Sequence, residues 1–126
     1  MIPKILTKNS DNSKIAIGTE KAIIQLINPN TKEIVELKGH TKPVWAICFD
    51  ENDNLFSTSA DSTLRIWNGT ESKILASGSL IHSIAINKNQ IAGGLMSNSI
   101  AIWNKNDGKL IKQIKEEAEV YAVVYS

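Results

Sequence analysis

Of 126 residues one is cysteine, which excludes an internal disulfide framework, and the two histidines are too widely spaced in the chain to form a zinc site with it. No run approaches the ~18–20 consecutive apolar residues that a membrane-spanning helix needs. Met1-Ile2-Pro3-Lys4 opens no apolar stretch of the secretory kind. Neither sign of charge dominates, since 14 Lys and Arg face 13 Asp and Glu for a formal net charge of +1. Binding to nucleic acid or an anionic membrane draws on clustered cations that displace counterions, so this balance argues against both. A cytoplasmic or nuclear protein is the expectation. Also lacking is any convergence of acid, base, nucleophile and metal ligands, so neither an enzyme activity nor a cofactor is expected.

What the chain does contain is a fourteen-column pattern written three times. It runs from Ile15 to Asn28, from Leu55 to Asn68 and from Ile91 to Asn104, with starts 40 and then 36 residues apart. Self-similarity at that period points to stacked units sharing one core. Val/Ile-rich runs at Val44 to Phe49, Ile81 to Ile86 and Val120 to Tyr125 read as first strands. Second and third strands follow, joined by short connections such as Ala60-Asp61-Ser62 and ending near Trp67 or Trp103. Turn chemistry recurs at Asn28-Pro29-Asn30-Thr31, Asn68-Gly69-Thr70 and Asn104 to Gly108. A more polar fourth strand comes next, near Glu33 to Lys38, Ser72 to Ser77 and Lys109 to Lys115, where charge suits an outer edge.

Gly39-His40, Ser59-Ala60-Asp61 and Trp67-Asn68 together resemble the WD40-repeat family of β-propellers. The resemblance is nearly complete in the middle repeat and good in the third. The first keeps only the apolar skeleton, with Ile27 where tryptophan would stand. It implies an all-β propeller segment of three four-stranded antiparallel blades plus the inner strand of a fourth. The expected units are 1–38, 39–78, 79–116 and 117–126, the last being the spare inner strand.

The resemblance also implies a structural polar network in the middle blade. His40 would hydrogen-bond a serine on the second strand, Ser59 first and Ser57 as the alternative, which would accept from the indole of Trp67. Asp61 would hold the imidazole from its other side. Lys21 and Ser97 stand in the Asp61 column, so the outer blades are expected to rely on aliphatic packing. Cys48 reads as a small core residue, and Gly93-Gly94 as a place of close backbone packing and not of phosphate binding.

The resemblance further implies that two columns look onto one rim of the central channel: Trp45, His82 and Tyr121 in the first, Glu20, Ala60 and Met96 in the second. An aromatic row there suits protein partners. The expected function is therefore a non-catalytic protein–protein interaction scaffold or adaptor in a multiprotein assembly. The alternative is the substrate-recognition module of an enzyme complex, for example a ubiquitin ligase, with catalysis elsewhere. Three blades leave a propeller open, so further blades are expected from a longer chain, a second copy or another subunit.

Overall fold

The computed structural model describes residues 5–115. Twelve strands follow one another: β1 (Ile5–Lys8), β2 (Ile15–Gly18), β3 (Ile23–Ile27), β4 (Ile34–Lys38), β5 (Val44–Phe49), β6 (Leu55–Ser59), β7 (Thr63–Asn68), β8 (Glu71–Ser77), β9 (Ile81–Ile86), β10 (Gln90–Leu95), β11 (Ser99–Asn104) and β12 (Leu110–Lys115). They form three four-stranded antiparallel sheets in chain order, β1 to β4, β5 to β8 and β9 to β12. Each sheet is one blade. The inner strands β1, β5 and β9 lie beside one another in succession. β1 is the first strand of the four-stranded unit expected over 1–38, for which no particular residues were expected, and the strand expected at Val120 to Tyr125 lies outside the described residues.

Two apolar layers hold the blades face to face. Ala16, Ile24 and Leu37 of the first blade pack on Val44, Ile47, Leu55 and Trp67 of the second. Phe56 and Leu64, on the second blade's other face, pack on Ile81, Ile91, Ala101 and Trp103 of the third. Alternation along a strand produces this two-sided arrangement. All five residues of β6 are buried because both its faces are covered, Leu55 on one side and Phe56 on the other. At about 25 cal/mol per Å² of apolar surface removed from water, these layers dominate the fold's favourable free energy.

The turns repeat as well. The connection between second and third strands places Ala22, Ser62 and Asn98 in the left-handed region, at φ 67°, 68° and 60°. The amides of Ser62 and Asn98 close that turn on the carbonyls of Ser59 and Leu95. Asn suits this conformation, whereas an alanine there costs about 1 kcal/mol.

Pairing of β5 with β6 slips between Val44 and Ala46, and pairing of β9 with β10 slips at Leu95 opposite Ile81. Trp45 and His82 are thus the extra residues of two β-bulges at the same place in successive blades. A bulge turns its unpaired residue out of the ladder.

The outward faces of the end blades remain apolar. Register puts Leu6, Ile15, Ile17, Ile27 and Ile34 on the side of the first blade away from the second, with Leu6 and Ile34 65% and 57% exposed. Ile100, Ile102 and Ile114 occupy the far side of the third blade.

Candidate functional site

His40 sits in the loop between β4 and β5, and Asp61 in the turn between β6 and β7. His40 Nδ1 lies 2.9 Å from Asp61 Oδ2, and Nε2 lies 2.7 Å from Ser57 Oγ. Trp67 Nε1 donates to the same hydroxyl at 2.8 Å. The serine of the network is therefore Ser57 and not Ser59. Both point to one face of β6, but Ser59 lies at its end, where it donates to the Lys42 carbonyl and accepts from the Asp61 amide. Asp61 accepts four hydrogen bonds: from His40 and the Thr41 amide on Oδ2, and from the Thr63 amide and hydroxyl on Oδ1. Because the carboxylate only accepts, Nδ1 carries the proton, Nε2 accepts from Ser57, and Ser57 accepts from the indole.

This order of Asp, His and Ser is that of a hydrolytic triad, yet it performs no attack. Ser57 is fully buried and its lone pair is committed to Trp67, so no substrate reaches the oxygen. Burial draws the His40 pKa below its ordinary value, more strongly than the Asp61 bond and charge raise it. The imidazole is neutral at pH 7. Burial pushes the Asp61 carboxyl upward, but hydrogen bonds from Thr63, His40 and Thr41 outweigh it and bring the pKa down to about 2. Burial and the charge of Asp50 push the Cys48 thiol up, which disfavours the thiolate that a nucleophile needs. Among the described residues no cluster of three or more His, Cys, Asp or Glu is placed to hold a metal.

Each blade fills the column of Ser57 differently. Ile17 occupies it in the first, across from Gln25 as Ser57 is across from Arg65. Gly93 occupies it in the third, where an added Cβ would lie 2.7 Å from Trp103 Cζ3. The glycine thus makes room for a tryptophan side chain and not for a neighbouring backbone. Trp67 is seated in a similar way, since a Cβ on Gly39 would lie 2.9 Å from its Cη2.

At the same end of the strands as this network lies a rim built from the bulges and the turns between second and third strands. Trp45 and His82 are both half-buried and belong to neither apolar layer. Glu20 is exposed, Ala60 half-buried and Met96 58% exposed. Met96 and Leu80 border a depression of about 410 Å³ completed by Gly78, Ser79, Leu95 and Ser97. Tyr121 lies outside the described residues. His82 Nε2 and Ser83 Oγ are buried without a hydrogen-bond partner among the described residues.

Residues 31–68 match the family described as "WD domain, G-beta repeat". Pre-mRNA-processing factor 19 of Mus musculus is 39% identical over 72 residues, covering 53% of this chain and 14% of that protein. Protein TOPLESS-RELATED PROTEIN 2 of Oryza sativa subsp. japonica is 40% identical over 60 residues, covering 46% of this chain and 5% of that one. The chain thus spans only a small part of the curated relatives it matches. Among solved structures, the computationally designed Ika8 protein superposes with a TM-score of 0.82 at 23% identity, over 97% of this chain and 39% of that one. The Cps50 (Swd1) β-propeller domain of Myceliophteria thermophila superposes with a TM-score of 0.80 at 13% identity, over 95% and 43%. Residues 31–68 are thus a WD40 repeat, and the three blades have the β-propeller fold.

Within these blades two further groups act where the sequence raised no expectation. Thr63 and Arg65 extend the network outward: Arg65 Nε donates to the Thr63 hydroxyl and Nη1 to Ser72 on β8. At the opposite end of the strands Lys105 Nζ meets Asp50 Oδ2 at 3.1 Å, with side-chain exposures of 9% and 1%. That ion pair joins the second blade to the third. Burial pushes the Asp50 carboxyl up, but hydrogen bonds from Asn54, Lys105 and Asn52 bring it below its ordinary value. The pairing spans 55 residues, and no local spacing signals it.

Proposed function

We propose that this WD40 segment is a non-catalytic scaffold or adaptor that holds protein partners on the rim bearing Trp45 and His82. The observation that carries the reading is the repeated bulge. In two successive blades the sheet gives up a paired position at the same place, and both residues so freed are large, partly accessible rings outside the apolar layers. Aromatic side chains with few rotatable bonds bury area at low entropic cost, which is what an interface anchor requires. Met96 and Leu80 add an apolar seat for a partner's side chain. A relative named for pre-mRNA processing supports a nuclear setting.

The apolar end faces support completion of the ring by further blades. The three blades cover 39% and 43% of the two superposed chains, and at the same length per blade those chains would hold about eight and about seven blades. A second copy would bring the total only to six, so four or five blades from other sequence fit better.

Site-specific photo-crosslinking in the complete assembly tests the rim. A crosslinker at position 45 or 82 should join the same partner, while one at Asn106, at the other end of the blades, should not. With that partner purified, Trp45→Ala should weaken binding and leave the thermal melt nearly unchanged. Crosslinks at 106 alone, or loss of folding together with binding, would assign Trp45 to the framework.

A further inference from the structure

Three asparagines end the third strands of the blades, Asn28, Asn68 and Asn104, and their side chains differ in one respect. Asn28 Oδ1 accepts from the amides of Asn30 and Thr31, and Asn104 Oδ1 accepts from those of Asn106 and Asp107. Each of these side chains is locked into its own turn. Asn68 is exposed, and its amide makes no hydrogen bond among the described residues. It is also the one asparagine of the 126 residues that precedes glycine. Gly69 takes φ +62° at the tip of the β7–β8 hairpin, where an added Cβ would meet nothing within 4 Å.

We infer that Asn68 is a spontaneous modification site, converted by water to a mixture of aspartate and isoaspartate. The Gly69 backbone nitrogen attacks Asn68 Cγ, the N–Cγ bond forms, and the side-chain nitrogen departs as ammonia after taking up the proton lost from the Gly69 amide. Water then opens the five-membered imide at either carbonyl. Opening at the α-carbonyl routes the main chain through the former side chain and adds one atom to the backbone. No redox partner is needed.

Access to the nitrogen is what sets Asn68 apart. Residue 69 has no Cβ to hinder the approach, and its N–H is unpaired among the described residues. Pro29, after Asn28, has no N–H, and the Lys105 amide, after Asn104, donates to the Asn89 carbonyl. The damage falls where it matters, because Asn68 pairs with Glu71 and adjoins Trp67, which pairs with Ser72. A new carboxylate would face Glu71 directly, and like charges opposed across a ladder weaken it. An isoaspartyl link would break the hairpin register that carries β8.

The test is ageing of the full-length protein at neutral to mildly alkaline pH, followed by peptide mapping for the one-dalton gain and by enzymatic methyl transfer to isoaspartyl carboxyls. Conversion at Asn68 should exceed that at Asn28 and Asn104 by about tenfold or more, since each of those must first release two hydrogen bonds. Gly69→Asn keeps a residue that tolerates positive φ yet adds a Cβ beside the attacking nitrogen, and it should slow conversion at position 68 by a similar factor. Conversion first at Asn104, equal conversion at the three positions, or an unchanged rate in Gly69→Asn would overturn the inference. The comparison among three asparagines in one unmodified chain stands even where a variant folds poorly.

Discussion

Ser57→Ala should be the costliest single-hydroxyl deletion in the middle blade. The hydroxyl is fully buried, donates to His40 Nε2 at 2.7 Å and receives Trp67 Nε1 at 2.8 Å. Removing it strands an indole N–H and an imidazole nitrogen together, and each unsatisfied buried group costs about 1–3 kcal/mol. Neither ring can turn to a new partner without losing an existing one. His40 is tied by Asp61, and Trp67 lies close over Gly39. A loss of about 2–4 kcal/mol is expected once partial relaxation is allowed for. Ser59→Ala, two residues along the same strand, should cost about 1–2 kcal/mol, because the Lys42 carbonyl and the Asp61 amide stand nearer to water. Urea denaturation of both variants, in whichever assembly is stable, gives the two differences directly. Equal losses, or a larger loss for Ser59→Ala, would refute the assignment of Ser57 to the centre of the network.

Asp61→Ala removes four accepted hydrogen bonds and should cost about 2–4 kcal/mol in the same assay. Ser97→Ala, at the exposed equivalent position of the third blade, should stay within about 0.5 kcal/mol. For pH, His40 and Asp61 both have folded pKa values below their unfolded ones, so the folded state binds fewer protons and acid destabilises it. The His40 contribution is complete above 6.5 and is lost as pH falls through its lowered folded value; that of Asp61 is complete above 3.8 and is lost on approach to about 2. Melting temperature should therefore drop from pH 7.5 to 5 and again from 4 to 2, and a rise between 7 and 5 would contradict the neutral imidazole. Lys105→Met leaves Asp50 without its countercharge and should cost about 1–3 kcal/mol, less than a fully isolated pair because Asn52 and Asn54 still donate to the carboxylate. Adding Asp50→Asn should recover most of that loss, since Asn9 and Asn87 already fill this turn position in the other blades. Losses that simply add in the double mutant would show the two residues to be uncoupled.

The fold was legible because its signals are local. The apolar run Val44 to Phe49 and the turn chemistry after Trp67 and Trp103 act within a few residues, and their recurrence 36 to 40 residues apart marks the units. The network was legible in kind, through His40, Asp61 and Trp67, but not in its central atom. Ser57 and Ser59 share one face of β6, so a period-2 pattern cannot separate them. Their depth along the strand decides, and that depends on where the Trp67 ring reaches across to β6. The bulges at Trp45 and His82 were hidden for a related reason, since an extra residue shows only when two strands are laid in register. Gly93 needed Trp103 in place before its purpose could be seen. The Asp50 to Lys105 pair joins two blades and leaves no periodic trace.

The three blades meet one packing requirement with three chemistries. The first places Ile17 and Ile27 on one face of the sheet, the second sets Ser57 beneath Trp67 with His40 and Asp61 behind it, and the third presses Trp103 onto Gly93. The backbone is held alike in all three, so what fills this column is free to vary as long as the space is filled and every polar atom is paired. The rim columns obey no such condition. Trp45 and His82 stand outside both apolar layers, and Glu20, Ala60 and Met96 differ in charge, size and polarity at a single turn position. A framework that constrains the inside of each blade and leaves the bulge and turn positions unconstrained would let the proposed recognition vary apart from stability. On the proposed reading, substitutions in the Ser57 column should change how firmly the segment folds, and substitutions in the Trp45 column should change what it holds.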